Sequence, residues 1–135
     1  MSHPIVHARN SARKFGGRME DYLKIHEWFD ETKAWIPDMR HRALRHHSEG
    51  IFECENVFGG AIINSDNKEV YTRYIGEQHV IEDLGFIPKA IDYFENMELS
   101  NWMMNRDIEV RRMVKNKIKK NNKLPKTMRD GVVSV

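Results

Sequence analysis

Helix breakers decide what this chain can fold into. Pro37, the Gly59-Gly60 pair, Gly85, Pro88, Asn121-Asn122 and Pro125 cut it into segments of helical length. A residue before proline avoids helical geometry, and glycine readily ends a helix. Between most of the cuts the apolar residues recur with a helical period. One helix is predicted from Met19 to about Lys33 and a second from Asp38, a good N-cap, to Phe58. A short one should cover Glu77 to Leu84. A longer one opens at Pro88 and runs through Ala90, Ile91, Phe94, Met97, Trp102 and Met103, and a last one spans Asp107 to about Lys120.

The period changes once. Ala61–Asn64, a Ser65-Asp66-Asn67 turn and Glu69–Ile75 are rich in β-branched and aromatic residues and read as a β-hairpin. Residues 1–17, with His3, Pro4, His7 and Gly16-Gly17, read as an irregular arm or a short helix. The expected fold class is mainly α with one small β-hairpin at about residues 61–75, a compact, bundle-like single domain. A chain of 135 residues suits one domain.

The net charge of +2 is unevenly spread. Residues 106–129 hold ten Lys or Arg against Asp107 and Glu109, a local +8, which leaves −6 for the rest. This divides the chain into a helical body, 1–105, and a basic C-terminal helix with a frayed end, 106–135. No apolar run approaches the ~20 residues of a membrane span, so no membrane association is expected. The start of the chain lacks the layout of a secretory signal. Cys54 is the single cysteine, which excludes an internal disulfide and a multi-cysteine zinc site and points to a reducing, cytoplasmic setting. Its place on the apolar stripe of the second helix makes it a buried structural thiol.

Histidines stand on faces an ordinary core would keep apolar. At about 100° per residue, His26 falls among Tyr22, Leu23, Ile25 and Phe29, with Asp30 one turn on. His79 is followed by Asp83 at the same spacing. In the second helix Ala43, Leu44, Ile51, Cys54 and Phe58 form the inner stripe, and His47 lies near its centre. His46 lies on the polar side and His41 at the other rim. Imidazole and carboxylate donors at i,i+4 spacing suit Zn, Mn, Fe, Co or Ni. The expected metal set is therefore His26, His47, His79 and Asp83, around a divalent transition metal. Asp30, Asp83 and Arg45 are the expected catalytic groups: the carboxylates as ligands, orienters or general base, and Arg45, beside Arg40 and Arg42, as a phosphate clamp. Local His-Asp hydrogen bonds and a core His47 satisfied by a carbonyl are the competing account. His3 and His7 stay unplaced, either chelating with the terminal amine or folding back as further ligands.

Ser11–Gly17, Ile25–Asp30, Arg40–Phe52 and Tyr74–Gly85, in that order, resemble an uncharacterised family of small bacteriophage and bacterial proteins. The resemblance covers about residues 1–95. It implies a bacterial or phage-infected cytoplasm and no assigned activity. It also implies that the histidine-bearing strings belong to the common pattern while the basic end lies outside it. By analogy only, His26, then His46-His47, then Asp83 follow the outline of the helical HD phosphohydrolases, although no histidine here is directly followed by aspartate.

The leading functional expectation is a metal-dependent hydrolase acting on a phosphate ester or nucleotide, with a small phosphorylated substrate. One alternative is a nucleic-acid-binding accessory protein that uses Arg111, Arg112, Lys115, Lys119 and Lys120. That segment has no aromatic residue to stack on bases, so its binding would be electrostatic. The other alternative is a non-enzymatic interaction or inhibitor module, with homo-oligomerisation open.

Overall fold

A computed structural model describes residues 3–104, 112, 113 and 115–118. The described chain is mainly helical, with one two-stranded antiparallel sheet. It divides into two compact units, Met1–Asn96 and Met97–Val135. No described helix is long and apolar enough to cross a membrane.

In the first unit the N-terminal segment is a regular helix, α1 (Pro4–Phe15), rather than an irregular arm. Pro4 occupies its first turn, where no backbone N–H is required, and the His3 ring accepts the Ile5 N–H. α2 (Glu20–Asp30) follows and passes into a 3-10 turn at Glu31–Ala34. The single helix expected from Asp38 to Phe58 is instead three pieces. A 3-10 turn, Met39–His41, leads into the one-turn α3 (Arg42–Arg45), and the chain then breaks before α4 (Ser48–Phe58). The break has a local cause. His47 is extended (φ −162°, ψ 173°) and its Nδ1 accepts the Gly50 N–H, so an imidazole caps α4 where a serine or aspartate usually would.

The hairpin is present but short. β1 (Ala61–Ile63) pairs with β2 (Glu69–Tyr71), with Ile62 opposite Val70, across a turn in which Asn67 takes φ 60°. Asn64 Oδ1 accepts the backbone N–H groups of Asp66 and Lys68 and closes the turn. α5 (Thr72–Leu84) begins directly after β2, earlier than the apolar pattern suggests, and ends at Gly85 in the left-handed region. α6 (Ala90–Phe94) is short, not the first part of a continuous helix to Met103.

α1 packs on α2, and α5 packs on both α2 and α4. The core comprises Ala8, Tyr22, Ile25, Trp28, Phe29, Ile51, Cys54, Val70, Ile75 and Val80. Cys54 is fully buried, as its stripe implies. Gly76 lets α5 approach α2 and α4 closely, since a Cβ there would lie 3.1 Å from Phe29 Cζ and 3.4 Å from Ile51. α1, α2 and α5 also pack on one another, along faces that are not apolar throughout. His7, His26, His41, His46 and His79 are each at most 1% exposed.

In the second unit α7 spans Asn101–Met104, and residues 112–113 and 115–118 are helical. Arg112 and Lys115 are exposed there. Arg111, Lys119 and Lys120 lie outside the described residues.

Candidate metal centre

Four ligand-type atoms from three places in the chain meet between the helices. α2 supplies Asp30, the break before α4 supplies His46, and α5 supplies His79 and Asp83 one turn apart. His46 Nε2 lies 3.1 Å from Asp83 Oδ2, 3.4 Å from Asp30 Oδ1 and 3.2 Å from His79 Nε2. His79 Nε2 lies 3.2 Å from Asp83 Oδ2 and 3.5 Å from Asp30 Oδ1. Each of the four residues offers one atom within 4.8 Å of all the others. Both histidines are braced from outside. Phe29 stacks on His79 at 4.7 Å, and the Tyr93 hydroxyl donates to the His46 carbonyl at 2.8 Å.

A second ring of polar groups surrounds the four. His7 Nε2 lies 3.1 Å from Asp83 Oδ1 and His7 Nδ1 lies 2.6 Å from Glu82 Oε1, so one imidazole bridges an inner and an outer carboxylate. His26 Nδ1 lies 2.9 Å from His79 Nδ1, and His26 Nε2 lies 2.7 Å from Ser11 Oγ. Ser11 and Gln78 join at 2.6 Å. His7, His26 and His79 also form a trio with one nitrogen each within 4.8 Å. Arg42 Nη2 stands 3.9 Å from Asp83 Oδ1. Four buried polar atoms beside the cluster lack a hydrogen-bond partner within the protein: Asp30 Oδ2, His41 Nε2, Arg42 Nε and His46 Nδ1.

The electrostatics follow from burial against pairing. Burial alone pushes Asp83 up, but hydrogen bonds from His46, His7 and His79 outweigh it and hold the carboxyl well below the usual range. Asp30 is likewise pushed up by burial and held low by His46 and His79. Burial lowers His7, yet its bonds to Asp83 and Glu82 leave it raised. His26 has no carboxylate partner, so burial and then the neighbouring His79 and His7 pull it down to about 2. Burial, with His46 next, takes His41 down to about 4. The centre thus combines ionised carboxylates with His26 and His41 rings held neutral.

Of the residues expected from the sequence, Asp30, His79 and Asp83 share the four-atom group, and His26 touches it through His79. His47 does not join them. Its Nδ1 caps α4 and its Nε2 lies 3.0 Å from the Ala43 carbonyl. The reading from a continuous helix put His47 inward and His46 on the polar side; the break at 46–47 turns His46 into the cluster and leaves His47, also buried, bonded to backbone groups. Arg45 is also committed elsewhere. Its guanidinium lies 4.1 Å over the Trp28 ring and donates to the Trp28 carbonyl at 2.6 Å. Arg42 is the arginine beside the carboxylates. His7 was not assigned from the sequence, although the i,i+4 run His7, Ser11, Phe15 on one helical face was its signal. A surface cavity of about 390 Å³ lined by Phe15, Tyr74 and Ile81 is bounded by Gln78 and Glu82, but by none of the four central donors.

No curated protein and no solved structure matches this chain. A domain family of unknown function, DUF6915, matches residues 2–103, which takes in all of α1 to α6 and every residue of the histidine–aspartate cluster. The chain therefore belongs to that family.

Proposed function

We propose that the protein binds one divalent transition-metal ion through Asp30 Oδ1, His46 Nε2, His79 Nε2 and Asp83 Oδ2 and uses it to hydrolyse a phosphate ester. One observation carries the metal. The five separations quoted among these atoms run from 3.1 to 3.5 Å, and donors ~2.0–2.1 Å from a tetrahedral ion stand roughly 3.3–3.4 Å apart. Two carboxylates and two imidazoles also match the charge and softness of Zn, Mn, Fe, Co or Ni. With two nitrogens and two acidic oxygens packed this closely, a central cation removes lone-pair repulsion that hydrogen bonds relieve only in part.

The hydrolytic reading rests on what surrounds the ion. Asp30 Oδ2 is unpartnered, so that carboxylate has an oxygen free to accept a proton from an attacking water. Arg42, beside Asp83, supplies positive charge for an anionic substrate. A bound divalent ion would supply the Lewis acidity and the lowered water pKa that ester hydrolysis needs.

A second reading is favoured by the closure of the site. Asp30 is 8% exposed, and the two histidines are fully buried. Four protein donors with little exposure is the arrangement of ions that hold a fold together. One experiment separates the two. Full-length protein loaded with Mn, Co, Ni or Zn is assayed on an aryl phosphate monoester and diester, with Asp83→Asn as control. Turnover that vanishes in the variant supports the hydrolase; a stoichiometric ion without turnover leaves the structural role.

A further inference from the structure

The hydrogen bonds behind His79 have only one consistent direction, and it can be followed from a backbone carbonyl inward. Gln78 places one amide atom 3.0 Å from the His7 carbonyl and 3.1 Å from Glu82 Oε2. Both of those partners only accept, so the Gln78 NH2 faces them and its oxygen faces Ser11. Ser11 Oγ then has two acceptor neighbours, Gln78 Oε1 at 2.6 Å and the His7 carbonyl at 3.2 Å. Its single proton goes to one of these, which leaves its lone pairs to the remaining neighbour, His26 Nε2 at 2.7 Å. His26 must therefore donate from Nε2. As a neutral ring it has a bare Nδ1, which accepts from His79 Nδ1 at 2.9 Å. With its Nδ1 proton fixed in this way, His79 turns Nε2 to Asp83 Oδ2, Asp30 Oδ1 and His46 Nε2, where a bound ion would take the place of any proton shared with the carboxylates.

We infer that Gln78, Ser11 and His26 form a polarised relay that presets His79 as a metal ligand, with His26 a positioning residue and not a ligand. The inference rests on the metal reading above and deepens it. Each link is fixed by the one before, starting from a carbonyl whose polarity cannot change. The relay also decides against a second ion in the His7, His26, His79 trio. There the His26 and His79 nitrogens share one proton, and both His7 nitrogens face carboxylates. Outer partners of this kind change metal affinity by ~10–100-fold when removed.

The test is nitrogen NMR of the full chain labelled at histidine, recorded without metal and with one equivalent of zinc. The relay requires a proton on His26 Nε2 in both states. With zinc, it requires a proton on His79 Nδ1 and a zinc-shifted His79 Nε2. Ser11→Ala, a small change at a fully buried site, should weaken zinc binding ~10-fold or more while His79 Nε2 still takes the zinc shift. Zinc that binds while shifting a His26 nitrogen, or a proton found on His26 Nδ1, overturns the relay and leaves the metal reading standing. An unchanged zinc affinity in Ser11→Ala also overturns it. Zinc that shifts no histidine overturns both.

Discussion

His46 and His47 are adjacent, both buried, and do opposite work. His46 faces Asp30, His79 and Asp83, while His47 spends both nitrogens on backbone groups at the start of α4. His46→Ala should therefore abolish metal retention. His47→Ala should keep the ion and cost about 1 kcal/mol of stability through the lost cap, measured by denaturant unfolding beside elemental analysis. Equal metal loss in both would contradict the assignment. Cys54 sets a simpler residue-scale test. Burial, with Glu55 next, pushes its thiol up to about 12, so a thiol reagent should label native protein only as fast as it opens. What the sequence made legible at this scale was set by spacing. His26 with Asp30 and His79 with Asp83 lie on helices that stay regular, so their faces could be read from the period. His46 could not, because a side-chain cap interrupts the helix that the wheel assumed.

At the scale of elements, the centre depends on how near α5 comes to α2 and α4. Gly76 sits one turn before the 79–80 pair, and its missing Cβ is where Phe29 and Ile51 press in. Gly76→Ala should destabilise the fold by ~1–3 kcal/mol through overpacking and displace His79 enough to weaken metal binding. Full stability with full metal content would show that this approach is not required. Gly50 is tighter still, since a Cβ would meet the Arg45 carbonyl, the group that precedes the break. Helices α2, α4 and α5 and the hairpin were visible in the sequence because breakers and periods agree there. α1 was only half seen, since its buried face carries His7 and Ser11 where apolar residues would have announced it. The stretch 88–103 was read as one helix from apolar spacing alone, with no cap to mark where α6 stops.

At the scale of the whole molecule, a core with this much buried imidazole must be sensitive to acid. An unfolded histidine titrates near 6.5, whereas folded His26 is down at about 2 and His41 at about 4. Between those limits the unfolded chain binds protons that the native one refuses, so stability falls as pH drops below about 6.5. The slope is up to ~1.4 kcal/mol per pH unit for each such group. His7 has the opposite sign: its raised pKa gives stability that is complete below about 6.5 and lost as pH rises through the folded value. Asp30 and Asp83, held low, begin to weaken the fold only below about 4. Metal-free protein should thus unfold more easily at pH 4.5 than at pH 6.5, and a flat denaturant midpoint over that range would contradict the buried neutral rings.

Every donor of the proposed centre lies within Met1–Asn96. The central claim is therefore tested most directly by elemental analysis of the full chain, prepared without a histidine tag, next to Asp83→Asn and His46→Ala. The account predicts close to one divalent transition-metal ion per wild-type chain and a large loss in both variants. Wild-type protein that takes up no ion when offered zinc, cobalt or manganese, or variants that keep it, would contradict it.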